Sequence, residues 1–125
     1  MTRAGWIAAL MLAAAAACGG RGSTKQQAQD LTGGDPAKGK EAIGRYGCGA
    51  CHTIPGIKDA NATIGPPLDN IASRQILGGH LQNTPANMAR WIQHPQQIDP
   101  KNAMPELGVT DDDAHNIVAF LYTLK

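Results

Sequence analysis

Cys48 and Cys51 stand three positions apart, and His52 follows at once. Thiols at that spacing can add across the two vinyl groups of one porphyrin and form a pair of thioethers. The adjoining imidazole is then directed at the metal from one side, so a Cys-x-x-Cys-His run reads as the attachment site of a c-type haem. Gly49 and Ala50 are small, which lets a macrocycle lie close to the backbone. Zinc is the first alternative, but a closed zinc site takes four N or S ligands. There is no second cysteine pair, and the one other cysteine is Cys18. A dithiol redox motif is the second alternative, and it expects a βαβ pattern that the flanking sequence lacks.

A haem held by one histidine has a sixth position to fill. Met104 lies in an irregular stretch between Pro100 and Pro105. A methionine fixed there is the candidate thioether ligand opposite His52, as in His/Met haem sites. The bland alternative is a gap-filling core methionine. Met88 competes, but it falls on the helical stripe Met88, Trp91, Ile92, and a core role is the simpler reading for it. His80, His94 and His115 have polar, surface-like settings. With both axial positions filled the iron would carry electrons. With the methionine displaceable, a peroxidase-like enzyme or ligand sensor becomes the alternative.

The bulk composition agrees with a cofactor-filled core. The chain has 125 residues, of which 4% are aromatic. So small a domain has little apolar volume of its own, and a buried macrocycle would supply it. The net charge of +1 gives no reason to expect nucleic acid as partner and predicts modest charge steering. Residues 1–17 have a short basic start at Arg3 and an apolar run ending in alanines, the pattern of an export signal. Ala15-Ala16-Ala17-Cys18 resembles a bacterial lipobox, in which Cys18 is lipidated, although Ala15 stands where leucine is usual. Ordinary signal cleavage and an uncleaved anchor are the alternatives. All three place the domain in the periplasm or on the outer face of a bacterial membrane. Residues 18–34 are rich in Gly, Gln, Ser and Thr and are expected to be a flexible, lipid-anchored tether, with an r.m.s. span of roughly 20 Å.

The folded domain is expected over residues 35–125. Asp35-Pro36 and Thr84-Pro85 each pair an N-cap with proline at the first helical position. Gly39, Ala42, Ile43 and Tyr46 form one buried stripe, and the mid-helix glycine points to close approach of another helix. A short helix is expected within Leu68–Leu77, and a turn at Gly78-Gly79-His80. Pro95 should stop the helix at His94. Thr110 followed by Asp111, Asp112 and Asp113 opens the last helix, with Ala114, Ile117, Val118, Leu121 and Leu124 inward and Phe120 at the edge. No run alternates with period two, so the expected class is all-α: about four helices with long loops around one cofactor. A carbonyl of Gly65-Pro66-Pro67-Leu68 is placed to accept from the second ring nitrogen of His52, the kind of partner that fixes a ligating imidazole. Prolines that merely stiffen a loop are the equal alternative. Arg74 suits a haem propionate. Read alone it is a surface charge.

Taken together these residues resemble the small class I c-type cytochromes, across residues 35–125. Gly65-Pro66-Pro67-Leu68 is similar to the family's G-P-x-L, whose proline carbonyl receives the ligand histidine. Arg74 stands at the propionate-contacting arginine, and His94-Pro95 through Met104 matches the segment leading to the methionine ligand. Ile117–Leu121 matches the C-terminal helix, whose aromatic packs on the glycine of the first helix. Gly47–Gly56, Asn83–Ile92 and Asn102–Pro105 look most like the cytochrome domain fused to subunit II of some bacterial cytochrome oxidases. The resemblance implies a cytochrome c fold and one covalent haem c held by Cys48 and Cys51. It also implies iron ligation by His52 and Met104, with Pro66, Arg74 and Trp91 around the pocket. It implies a monomeric one-electron carrier whose partners are redox proteins such as cytochrome c oxidase and a quinol-oxidising complex. Many mitochondrial-type members carry lysines after the proline equivalent to Pro95, whereas Gln96 and Gln97 follow here. A shallow salt dependence is therefore expected.

Overall fold

The computed structural model describes residues 23–125. The expected signal peptide and Cys18 lie outside the described residues. Among the described residues there are five α-helices: α1 (Thr24–Thr32), α2 (Pro36–Arg45), α3 (Pro85–Gln93), α4 (Pro95–Ile98) and α5 (Asp111–Leu121). Two 3₁₀ turns, Cys48–Ala50 and Ile71–Ser73, and a two-stranded hairpin complete the order.

The caps read from sequence form as expected. The Asp35 carboxylate accepts from the N–H groups of Ala37 and Lys38, and the Thr84 and Thr110 hydroxyls accept from Asn87 and Asp113. These satisfy backbone donors that a helix start leaves unpaired. α2 buries Pro36, Gly39, Ala42 and Ile43 against α5, whose buried residues run from Ala114 to Leu121 with gaps at His115 and Asn116. The two helices cross almost backbone to backbone. A Cβ on Gly39 would lie 1.9 Å from the Asn116 carbonyl oxygen, and one on Gly34 would lie 2.2 Å from that of His115. The three atoms nearest Gly39 are thus α5 backbone rather than an aromatic ring. Phe120 instead directs its ring toward Gly56.

A second tie joins the open ends of this pair. Arg45 Nη2 donates to Asp113 Oδ1 at 2.8 Å and the Tyr46 hydroxyl to Asp113 Oδ2 at 2.7 Å. The Tyr46 hydroxyl and the Arg45 guanidinium hold the Asp113 carboxyl below the usual carboxylate range.

Three expectations are corrected. Residues 24–32, expected within the flexible tether, are helical. Ser23 caps α1, Gly33 closes it at φ 72°, and Ala28 and Thr32 are buried as α1 packs on α5. The buried surface is one methyl and one threonine, too little to register as an apolar stripe. The short helix expected within Leu68–Leu77 is a 3₁₀ turn at Ile71–Ser73, but the absence of strands is not met: β1 (Ile76–Leu77) pairs antiparallel with β2 (Leu81–Gln82). Gly78 and Gly79 turn the hairpin at φ 55° and 78°, a region glycine enters without steric cost. Two-residue strands carry no alternation to detect. Finally, α3 stops at Gln93 as Pro95 requires, but Pro95 then opens α4.

Two glycines of α2 separate packing from propensity. Gly39→Ala gains about 1 kcal/mol of helix propensity, but its methyl collides with α5 backbone, so a net loss of about 2 kcal/mol or more is expected. Around Gly44 a Cβ meets nothing within 4 Å, so Gly44→Ala should stabilise by about 0.5–1 kcal/mol. Urea unfolding of both variants checks the pair. Equal shifts would refute the close approach.

Candidate functional site

α2 runs directly into the motif. Tyr46 ends the helix, Gly47 turns the chain at φ 71°, and Cys48–Ala50 forms a single 3₁₀ turn. Cys51 and His52 both bond back to the Cys48 carbonyl. Gly49 proves to be small for a reason not visible in sequence: its Cβ would stand 2.8 Å from that of Ala60 in the following loop. That loop is tied to the motif by Ile54 N–H donating to the Ala60 carbonyl at 3.0 Å and the Thr53 hydroxyl to that of Ala62 at 2.9 Å.

After the antiparallel bridge between Thr53 and Asn61, the chain turns and runs alongside the motif. Gly65 N–H donates to the Cys51 carbonyl at 2.7 Å and Leu68 N–H to that of Thr53 at 2.9 Å. These bonds set the Pro66 carbonyl 2.7 Å from His52 Nδ1. A ring N–H there donates to the carbonyl, which leaves the Nε2 lone pair free for a metal. Gly65 lies flat against the imidazole, where a Cβ would come within 2.4 Å of Cε1. Arg74 pins the same stretch from below, donating to the carbonyls of Pro67 and Asp69 and approaching the Asp69 carboxylate at 3.8 Å.

Cys48, Cys51 and His52 all face one cavity of about 520 Å³. Its walls are apolar: Ile43, Ile54, Leu68, Ile71, Leu77, Ile92, Ile117 and Leu121 contribute, and Trp91 closes one side. Gly78 lies under the Trp91 ring, leaving no room for a side chain there. Pro66, Arg74 and Met104 also line the cavity, so each site residue expected in the described region borders one space. Met88 lines it too and is 2% exposed. His80, His94 and His115 do not line it. His80 lies against Trp91 and within 3.4 Å of Asp99, and His115 Nδ1 stands 2.7 Å from the Asp111 carbonyl of its own helix.

The dimensions and donors fit a macrocycle. The volume is in the range of sites that enclose a cofactor. Two thiols, one imidazole with its far nitrogen engaged and a thioether supply the two attachment points and two axial donors that a c-type haem takes. Zinc finds no such fit. Among the described residues no three His, Cys, Asp or Glu side chains group to hold a metal ion. Burial pushes the Cys48 thiol up from its usual range.

Two further residues position the walls of the site. Asn83 donates from one amide to the carbonyls of Ile71 and Arg74 and accepts from the buried Tyr122 hydroxyl, joining the cavity floor to the end of α5. Gln96 donates to the carbonyls of Asn102 and Met104. Nothing local in the sequence signals either role, since the partners of Asn83 lie 9, 12 and 39 positions away and those of Gln96 6 and 8.

An all-α shell with paired thiols, an imidazole and thioethers around one apolar cavity defines a covalent haem-binding protein. The cytochrome c family model matches residues 36–125, and the chain belongs to that family, one of haem c electron carriers. It is 29% identical over 89 residues to cytochrome c oxidase subunit 2 of Alkalihalophilus pseudofirmus, an alignment covering 70% of this chain and 25% of that one. It is 27% identical over 96 residues to the subunit 2 of Bacillus sp. strain PS3, covering 73% and 27%. The chain therefore spans about a quarter of the length of these relatives. No solved structure matches it significantly.

Proposed function

We propose that the protein is a monohaem carrier that passes one electron at a time between respiratory complexes at a membrane surface. The observation that carries this reading is the convergence of Cys48, Cys51, His52 and Met104 on one apolar cavity, with His52 oriented by the Pro66 carbonyl. Bound haem c supplies the ferric/ferrous couple. Cys48 and Cys51 hold the porphyrin, His52 and Met104 ligate the iron, Arg74 compensates a propionate and Trp91 packs against the ring. An apolar wall disfavours the extra charge of ferric iron, and a thioether ligand does the same, so both raise the potential. The chain acts as a carrier rather than an enzyme because two protein ligands leave no open position. A peroxidase-like enzyme or sensor needs Met104 to leave.

Docking occurs through the cavity mouth. Ile64 is 80%, Ile76 51% and Leu107 41% exposed, and all three line the cavity. Arg74 is the one Lys, Arg, Asp or Glu among the described lining residues. An apolar rim with so little charge suits brief contact with a redox partner whose own docking face is apolar, such as an oxidase. The similarity to oxidase subunits supports that choice. No described helix is long and apolar enough to cross a membrane. Attachment is assigned to lipidated Cys18, with Gly19, Gly20, Arg21 and Gly22 before the cap of α1.

Met104→Ala should keep covalent haem but lose the methionine-sulfur charge-transfer band of the oxidised protein and lower its potential. Loss of the band in Met88→Ala instead would reassign the ligand, and a high-spin wild-type spectrum would favour the enzyme or sensor. The rate constant with an isolated oxidase should change by no more than roughly threefold between about 0.01 and 0.15 M ionic strength. A steep fall in stopped-flow traces would restore charge-led docking. Cys18→Ser should move the protein from the membrane to the soluble fraction on cell lysis. Unchanged membrane association would favour an uncleaved anchor.

A further inference from the structure

We infer that Gln96 is a positioning residue that clamps the methionine loop shut and so governs how readily Met104 leaves the iron. The inference rests on Met104 as the sixth ligand. Gln96 occupies the second position of α4, directly after Pro95, whose ring is among the most fully buried side chains of the protein. From that fixed root its half-buried amide nitrogen reaches across the loop. It donates to the Asn102 carbonyl at 3.0 Å and to the Met104 carbonyl.

Both amide hydrogens are used, and both carbonyls belong to the stretch that carries the thioether. Asn102 completes the ring. Its side-chain oxygen accepts from Met104 N–H at 2.7 Å, and its own N–H donates to the Asp99 carbonyl at 3.0 Å. The hydrogen bonds to Met104's backbone thus come from Gln96 and Asn102. The neighbours Ala103 and Pro105 are exposed, so packing adds little. Met104 is held against the cavity by hydrogen bonds from two amide side chains, where a helix would have used its own backbone.

The two glutamines after Pro95 differ. Gln97 is exposed and makes no side-chain hydrogen bond among the described residues, whereas Gln96 spends its donor on the loop. A donor at position 96 is the chemical requirement. Glutamate of the same shape would set a carboxylate against two carbonyl oxygens, and leucine would leave both carbonyls without that partner.

The test titrates imidazole into the full-length, haem-loaded ferric protein and follows the methionine-sulfur charge-transfer band. Gln96→Leu and Gln96→Glu should lose the band at imidazole concentrations about tenfold lower than wild type. Gln97→Leu should titrate as wild type, and Gln96→Lys, which restores a donor, should recover most of the difference. Thermal melts of the same variants separate loop opening from global loss of stability. Wild-type titrations for both Gln96→Leu and Gln96→Glu, with the band absent from Met104→Ala, would overturn the clamp and leave the ligand intact. A band that survives in Met104→Ala would overturn the ligand assignment itself.

Discussion

The contact on which the rest of the structure depends is the crossing of α2 on α5. It is a backbone contact: the Gly39 Cα faces the Asn116 carbonyl, and Gly34 faces that of His115. Nothing larger than hydrogen fits there. The crossing sets where each helix delivers its cargo. α2 ends at Tyr46 and hands the chain to Cys48 two residues later, while α5 turns Ile117 and Leu121 toward the same space. Moving the helices apart by one methyl would shift the attachment motif relative to the wall it faces. The Asp113 tie to Arg45 and Tyr46 fixes the other end of the pair, so the angle as well as the distance is defined.

The loops between these helices are held by a different device. A chain with so few aromatic residues cannot pack its loops by bulk, and they are laced instead by side-chain donors aimed at backbone carbonyls. Arg74 takes those of Pro67 and Asp69, Asn83 those of Ile71 and Arg74, and Gln96 those of Asn102 and Met104. Each donor serves two acceptors, and each acceptor pair lies within a few residues of a group that lines the cavity. Arg74 therefore has work to do whether or not it also meets a propionate. Its guanidinium steadies the stretch whose Pro66 carbonyl receives His52. The part-buried carbonyls that Asn83 and Gln96 serve would otherwise go unsatisfied, a cost comparable to a lost hydrogen bond.

Much of the frame was legible in the sequence because its signals are local. Caps at Asp35, Thr84 and Thr110, prolines at 36, 85 and 95, and the Ala42–Ile43 and Ile117–Val118–Leu121 stripes all act within one turn of helix. The cavity-lining set was legible because the motif spacing and the Gly-Pro-Pro-Leu run are chemically specific. What escaped is non-local or weak. The role of Gln96 depends on a loop closing eight residues away. Asn83 finds Tyr122 across 39 positions. α1 hid because a helix that buries one alanine and one threonine looks, in composition, like a linker. The hairpin hid because two residues have no period. Gly49 was read correctly as needing to be small, but its neighbour is Ala60, which only the fold brings near.

The docking of α1 has a mechanical consequence. Any pull on the domain from the N-terminal side enters at Ser23 and is taken up first by α1, whose buried Ala28 and Thr32 rest on α5 and whose Gln27 side-chain Oε1 is reached by the Lys125 ammonium at 3.5 Å. The load path therefore runs through the terminal helices and bypasses the loops that surround the cavity. A domain strung on a limp leader would swivel about its attachment and present every face in turn. With a strut seated on α5, the start of the described chain has a bearing as well as a position, and the apolar mouth keeps a fixed heading relative to it.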